Sequence, residues 1–186
     1  MPFSEPPNSE LRAGLPVISK TVYISLGSNL GDRATMLERA IAAMNCAGIR
    51  VTRQSQFYIT EPVGAPGQSW FLNAVVEAET SLMPLQLLHA LLKIERALGR
   101  RRITPHGPST IDLDILFYGS TVIQNRELEV PHPRFTARRF VLMPMAQLAP
   151  EFRHPVMHKS IAQLLAETPD RSEVRLWHGT SHGAEG

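Results

Sequence analysis

The stretch Thr110-Ile-Asp-Leu-Asp-Ile-Leu-Phe117 decides the fold, because it is the clearest β-strand pattern in the chain. Side chains along a strand alternate between the two faces of a sheet. Asp112 and Asp114 are therefore predicted on one face, and the apolar side chains of the stretch on the other. The apolar set predicted to enter the core is Ile111, Leu113, Ile115 and Phe117.

The two aspartates of this strand are predicted to lie side by side, roughly 7 Å apart along the strand. Aspartate is depleted in strands, and two like charges on one face repel each other unless something compensates them. Carboxylates on a rigid strand suit Mg²⁺, which completes its octahedron with water and phosphate oxygens. The alternative is that Asp112 and Asp114 form only the wet face of an amphipathic strand. The arginine-rich loop before the strand favours a metal–phosphate site.

Outward from this strand, turn and periodicity signals divide the chain into strands and helices. Strands are predicted at 21–28, 49–60, 70–80 and 110–118, and helices at 32–48, 84–99, 140–148 and 160–167. A short strand at 121–124 is predicted to pair with 110–118 as a hairpin. The order β-α-β-β-α-β predicts an α+β fold of the ferredoxin-like type, an antiparallel sheet with helices on one face, plus an added hairpin and C-terminal helices.

The length of 186 residues fits a single domain. Residues 1–20 are predicted as a flexible N-terminal extension, because four prolines fall in this short stretch. Residues 21–168 are predicted as the folded domain, and residues 169–186 as a C-terminal tail.

Composition excludes several classes of protein. Hydrophobic residues make up 43% of the chain and charged residues 19%, which allows a sizeable core. No apolar run reaches the ~18 residues that span a bilayer, and the first residues lack the apolar segment of a secretory signal. Cys46 is the only cysteine, which excludes an intrachain disulfide framework and a cysteine-rich zinc site. These features predict a cytoplasmic protein without a membrane partner.

The net charge of +2 is unevenly distributed along the chain. Eight arginines but only four acidic residues lie between Arg96 and Arg139. Arginine suits bidentate recognition of phosphate, so the stretch suggests a nucleotide or nucleic acid as partner. The alternative is a solvated basic face. Nucleic acid is disfavoured, because aromatic residues make up only 6% of the chain and the clearest strand exposes aspartates where bases would stack.

Two further motifs each leave two interpretations open. Gly27-Ser-Asn-Leu-Gly-Asp32 leads from a strand into a helix, where backbone N–H groups can bind an anion. The alternative, which the pattern favours, is a tight turn in which Asp32 or Ser28 caps the helix. His132 lies in the rigid segment 130–134 near several arginines, where a neutral imidazole could hydrogen-bond a nucleotide or phosphate. The alternative for His132 is a loop histidine without a partner.

Several separate motifs occur together in one order and spacing. They are Gly27-Ser-Asn-Leu-Gly31, Thr60-Glu-Pro-Val-Gly64, Phe71-Leu-Asn73, Gly107-Pro-Ser-Thr-Ile-Asp-Leu-Asp114, Val130-Pro-His-Pro-Arg134 and Arg139-Phe-Val-Leu142. With these motifs the chain closely resembles the 6-hydroxymethyl-7,8-dihydropterin pyrophosphokinases of folate biosynthesis, over about residues 21–168.

The resemblance implies transfer of a pyrophosphoryl group from ATP to the hydroxymethyl oxygen of the pterin, with release of AMP. It implies that Asp112 and Asp114 bind two Mg²⁺ ions that bridge the triphosphate. Small-molecule substrates are expected as partners, and no nucleic acid. The implied pterin pocket is Thr60, Pro62, Val63, Gly64, Phe71, Asn73 and Phe140. The implied nucleotide contacts are Glu95, His132 and Arg138, and a mobile basic loop carries Arg100 and Arg102.

Two departures from the family pattern concern the loop before the aspartates. The usual Gly-Pro-Arg-Thr reads Gly107-Pro-Ser-Thr110 here, which removes an arginine directed at phosphate, and Pro105-His106 stands where some members have tryptophan. We therefore expect an active enzyme that is slower than its relatives. An alternative of another class is a weakly active paralogue that serves as a pterin- and nucleotide-binding module because of Ser109. A third is an RNA-binding module, whose affinity would be sensitive to salt.

Overall fold

The computed structural model describes residues 18–62, 67–99 and 110–179. The strands in these ranges are β1 (Lys20–Ser28), β2 (Ile49–Gln54), β3 (Tyr58–Thr60), β4 (Phe71–Thr80), β5 (Asp112–Tyr118), β6 (Ile123–Gln124), β7 (Glu129–Val130) and β8 (Val174–Leu176). The helices are α1 (Arg33–Asn45), α2 (Pro84–Ala97), α3 (Arg139–Leu148) and α4 (Ile161–Glu167), and a 3-10 turn covers Phe135–Ala137.

The main sheet is antiparallel, with the strand order β5-β1-β4-β3-β8. β2 also pairs with β4, so β2 and β3 lie end to end along the same side of that strand. The single strand predicted at 49–60 is broken at Ser55, whose N–H donates to the Val75 carbonyl and whose hydroxyl accepts from the Val75 N–H, each at 2.9 Å. The ferredoxin-like fold predicted from the sequence is confirmed.

Helices cover both faces of the main sheet. Apolar side chains of α1 and α2 share one core with alternate residues of β1, such as Val22 and Ile24. The residue between them, Tyr23, points to the opposite face, into a second core formed with α3 and α4. The β-α-β-β-α-β unit thus keeps its two helices on one face, as predicted. The two C-terminal helices pack on the other.

A β-bulge in β5 changes the predicted direction of one core residue. Tyr23 of β1 is opposite Phe117 and Ile24 is opposite Ile115, so Leu116 is the extra residue of the bulge. Ile115 therefore lies in the core beneath α1 and α2, whereas Phe117 lies in the core beneath α3. The prediction that both point to the same face was wrong, because an extra residue reverses the alternation of side chains beyond it.

The short hairpin differs from its prediction in the identity of its partner. β6 pairs with β7, not with β5. Asn125 closes the turn between them, because its Oδ1 accepts the N–H groups of Glu127 and Leu128, each at 2.9 Å.

The segment after residue 168, predicted as a tail, contributes a strand to the main sheet. β8 pairs antiparallel with β3 and forms that edge of the sheet. Three residues are too few to give a clear alternating pattern in the sequence. Within the described ranges, no helix combines the length and the apolar character that a membrane crossing requires.

Candidate active site

The site is built on a row of residues that crosses three strands of the sheet. Gly27 of β1 is opposite Asp112 of β5 on one side and opposite Asn73 of β4 on the other. Directly opposed residues of antiparallel strands point to the same face. Since neighbouring strands lie about 4.8 Å apart, the row places the backbones of Asp112 and Asn73 roughly 10 Å apart, on either side of one glycine. Asp114 lies two residues further along β5 on the same face, opposite Ser25.

Gly27 leaves the middle of this row without a side chain. A Cβ atom added at Gly27 would lie 2.7 Å from Asn73 Oδ1, closer than real Cβ contacts allow. Gly27 belongs to β1, in agreement with the strand predicted at 21–28. The turn glycine is Gly31, with φ of 66°. Asp32 caps α1 as predicted, because its Oδ1 accepts the Thr35 N–H at 3.1 Å.

Asn73 and Thr60 form a buried polar pair beside this row. Asn73 Nδ2 donates to Thr60 Oγ1 at 2.7 Å, and the two residues are only 6% and 2% exposed. A primary amide has a second N–H and an oxygen, so Asn73 keeps a donor and an acceptor for a ligand edge. Pro62 is half-buried at the end of the same described segment. The predicted pocket residues Val63 and Gly64 lie outside the described residues.

The two aromatic side chains implied in the pterin pocket come from different elements. Phe71 begins β4, opposite Thr60 of β3, and Phe140 lies in the first turn of α3. Both are half-buried. The Arg138 guanidinium carbon lies 5.8 Å from the centre of the Phe140 ring. Arg138, a predicted nucleotide contact, therefore lies beside Phe140, a predicted pterin contact.

The strand that carries the aspartates is anchored by Glu95 of α2. Glu95 is 3% exposed, and its Oε1 accepts the N–H of Leu113, the residue between Asp112 and Asp114, at 2.8 Å. This anchoring role was not predicted from the sequence. Asp112 is half-buried and Asp114 is exposed. In the part of the chain that the structure describes, no group of three or more His, Cys, Asp or Glu side chains could hold a metal ion.

His132 lies among charged groups on the Asp114 side of the site. Burial lowers the pKa of His132 below its usual value. The carboxylate of Asp114 opposes this effect, and the guanidinium groups of Arg138 and Arg134 add to it. His132 Nδ1 accepts the Arg134 N–H at 3.2 Å, so the neutral ring carries its proton on Nε2. His132 thus lies beside arginines and a carboxylate, and its hydrogen bond to a nucleotide stays a prediction.

Two arginines near the site have constraints that the sequence did not show. Burial, together with the charge of Arg134, lowers the pKa of Arg138, and the carboxylate of Asp114 acts against both. Arg139 donates from Nη1 to the Ser172 carbonyl at 3.0 Å, so its guanidinium is held by the C-terminal segment. The basic loop residues Arg100 and Arg102, and also Ser109, lie outside the described residues.

Comparison with known proteins identifies a family that the chain matches. Residues 23–150 match the profile of 7,8-dihydro-6-hydroxymethylpterin-pyrophosphokinase. The chain is 42% identical over 161 residues to the 2-amino-4-hydroxy-6-hydroxymethyldihydropteridine pyrophosphokinase of Bacillus subtilis, and the match covers 86% of this chain and 92% of that protein. It is 41% identical over 163 residues to the folic acid synthesis protein fol1 of Pneumocystis carinii. That match covers 88% of this chain and only 22% of the fungal protein's length.

Solved structures show the same fold. The wild-type HPPK-DHPS of Plasmodium falciparum with pteroate superposes with a TM-score of 0.65 at 17% identity. The superposition covers 80% of this chain and 42% of the Plasmodium chain. At an identity this low, the similarity supports the fold alone.

Proposed function

This chain belongs to the 7,8-dihydro-6-hydroxymethylpterin-pyrophosphokinase family, and we propose that it transfers pyrophosphate from ATP to the hydroxymethyl oxygen of 6-hydroxymethyl-7,8-dihydropterin, with release of AMP. The resemblance drawn from the motifs is confirmed. The Bacillus relative, matched over almost its whole length, is named for this activity. The alternative of a weakly active binding module is therefore not favoured.

The observation that carries the proposal is the row Asp112–Gly27–Asn73. It places a carboxylate for the phosphate end and an amide for the heterocycle end on one rigid face, and Gly27 between them leaves room for that amide. Phosphoryl-type transfer depends mainly on positioning and on neutralisation of charge. A sheet held by backbone hydrogen bonds fixes that positioning better than loops could.

Asp112 and Asp114 fit a magnesium site that is completed by the substrate. Mg²⁺ is typically held by one or two carboxylates together with phosphate oxygens and water, so two aspartates on one strand face supply a sufficient protein share. Bound Mg²⁺ would neutralise phosphate charge and orient the phosphates. We propose that Asp112 and Asp114 together hold two such ions. Glu95 keeps β5 in place, so both carboxylates stay on that face.

The pterin is bound at the other end of the row. Asn73 offers a paired donor and acceptor to the edge of the heterocycle, and Thr60 fixes the orientation of the amide. Phe71 and Phe140 hold the ring between them, where stacking and burial favour a flat aromatic ligand. Pro62 follows β3 at this end of the site, and Val63 and Gly64 keep their predicted role in the pocket.

The nucleotide lies on the Asp114 side, among His132 and Arg138. The proton on His132 Nε2 is donated to a phosphate or ribose oxygen, and the Arg138 guanidinium neutralises phosphate charge. Glu95 contributes to the nucleotide end of the site indirectly, because it keeps β5 in place. Arg100 and Arg102 keep their predicted role in a loop that excludes water from the phosphates.

The slower turnover expected from Ser109 stays a prediction, as do the domain limits 21–168 and a cytoplasmic location.

The test is release of AMP from Mg²⁺-ATP with and without the pterin. We expect AMP only when 6-hydroxymethyl-7,8-dihydropterin is present, in a one-to-one ratio with the pterin diphosphate. Release of ADP, or AMP release that does not depend on the pterin, would contradict the proposal. Tight binding of both substrates without turnover would instead support the binding-module alternative.

A further inference from the structure

The C-terminal strap, defined as residues 168–177, lies beyond the residues that match the family profile. It runs from the end of α4 to the edge of the sheet, where β8 pairs with β3. Its far end is fixed next to β3, because the Trp177 N–H donates to the Phe57 carbonyl at 2.9 Å and the two rings lie 6.0 Å apart. The strap therefore has a defined path.

The first half of the strap holds the N-terminus of α3, the helix that carries Phe140. Asp170 Oδ2 accepts the backbone N–H of Arg139 at 2.7 Å, which satisfies one of the free donors at the start of the helix. The Arg139 guanidinium returns a bond to the Ser172 carbonyl at 3.0 Å. Two bonds thus fix the residue immediately before Phe140.

The second half of the strap holds the opposite wall of the pterin pocket. The Glu173 N–H donates to Glu61 Oε1 at 2.6 Å, and the Glu61 N–H donates to the Glu173 carbonyl at 3.3 Å. Glu61 lies between the pocket residues Thr60 and Pro62. The Arg175 guanidinium carbon lies 5.0 Å from the centre of the Trp70 ring, and Trp70 directly precedes Phe71.

We propose that the strap is a positioning element for the pterin, with Asp170 as the positioning residue that sets Phe140 against the Phe71 wall. This inference rests on the proposed function. The strap contacts the chain neighbours of four pterin-pocket residues from three separate segments, namely Thr60, Pro62, Phe71 and Phe140. It meets the nucleotide end at one position, because Arg139 also adjoins Arg138. At the nucleotide end, Asp114 is opposite Ser25 of β1 and His132 accepts the N–H of Arg134, so both contact segments other than the strap. Loss of a strap contact should therefore weaken binding of the pterin more than binding of the nucleotide.

The test compares Asp170→Ala with the matched control Ser160→Ala in the full chain. Ser160 caps α4 by accepting the Gln163 N–H at 3.2 Å, so the control also removes a helix cap but leaves the strap intact. Calorimetry would measure the dissociation constants of 6-hydroxymethyl-7,8-dihydropterin and of Mg²⁺ with a non-hydrolysable ATP analogue. We expect Asp170→Ala to weaken the pterin about 5- to 20-fold and the analogue less than about twofold, with partial rescue in Asp170→Asn, which keeps an acceptor.

Arg175→Ala provides a second variant, because Arg175 is exposed and its loss leaves the core unchanged. It should weaken the pterin about two- to fivefold. Pterin affinity within twofold of the unmodified chain in both variants would overturn the inference. An equal loss of analogue binding, or an equal pterin loss in Ser160→Ala, would also overturn it by showing a general loss of structure. Absence of pterin binding in the unmodified chain would overturn the proposed function itself.

Discussion

Replacement of Gly27 by alanine tests the row at its centre. The new Cβ would lie 2.7 Å from Asn73 Oδ1, whereas ordinary contact begins at 3.4 Å, so the amide must retreat by about 0.7 Å. On its other side Asn73 Nδ2 already lies 2.7 Å from Thr60 Oγ1. The amide can therefore move only by turning out of that bond. Loss of a buried hydrogen bond costs about 1–3 kcal/mol, which corresponds to a pterin affinity about 5- to 150-fold weaker.

Calorimetric titration with the pterin and with an ATP analogue would measure this effect, and urea unfolding would measure stability. Glycine within a strand is about 0.5–1 kcal/mol less favourable than alanine, so Gly27→Ala should be neutral or stabilising once the clash is removed. The double variant with Asn73→Ala provides that control. The reasoning is refuted if Gly27→Ala leaves pterin affinity within twofold, or if it destabilises the Asn73→Ala background as much as the unmodified chain.

The remaining predictions concern the carboxylates and two groups that respond to pH. Asp112→Asn or Asp114→Asn should lower AMP release at saturating Mg²⁺ at least about 100-fold, about 2.7 kcal/mol, with an unchanged melting temperature; near-normal turnover would exclude the metal role. The hydrogen bond from Arg53 lowers the pKa of Glu77 to about 2, so stability should fall as the pH drops from about 4.5 towards 2, and urea titrations of Glu77→Gln should show a flatter profile. Burial lowers the pKa of His154, whose Nδ1 accepts two backbone N–H groups at 3.0 and 3.1 Å. As the pH falls, the histidine therefore takes up a proton in the unfolded chain before it does so in the folded chain, so the free energy of unfolding should decline below about pH 6.5. In His154→Asn, which keeps an acceptor, the free energy of unfolding should decline less between about pH 7 and 5.

The positions of β1, β4 and β5 and of the two aspartates could be predicted because they follow from local alternation of side chains. The two predicted helices of the ferredoxin-like unit begin within a residue or two of the observed α1 and α2. Asn73 was identified only through its motif, since nothing in its local pattern indicates the bond to Thr60. Local pattern and motif together therefore located the row, but not the contacts that support it.

The features that the sequence did not predict all depend on contacts between distant segments. The bulge that redirects Phe117 is defined only by pairing with β1. The structural need for Gly27 depends on the amide of a neighbouring strand. Asp170 is an ordinary residue of a polar segment until the fold brings it to the start of α3. Periodicity within one segment carries no information about any of these relations.

The place of the bulge in β5 has a consequence for insertions and deletions. A change of one residue in a strand transfers every side chain beyond it to the opposite face. The bulge lies at Leu116, towards the end of β5 away from Asp112, and there β1 and β5 already differ by one residue without disturbing the row at Gly27. A length change near Leu116 should therefore be tolerated as a resized bulge. The same change between Asp112 and Ile115 would separate a carboxylate from its face and turn buried side chains of β5 out of the core, so it should abolish activity and lower stability.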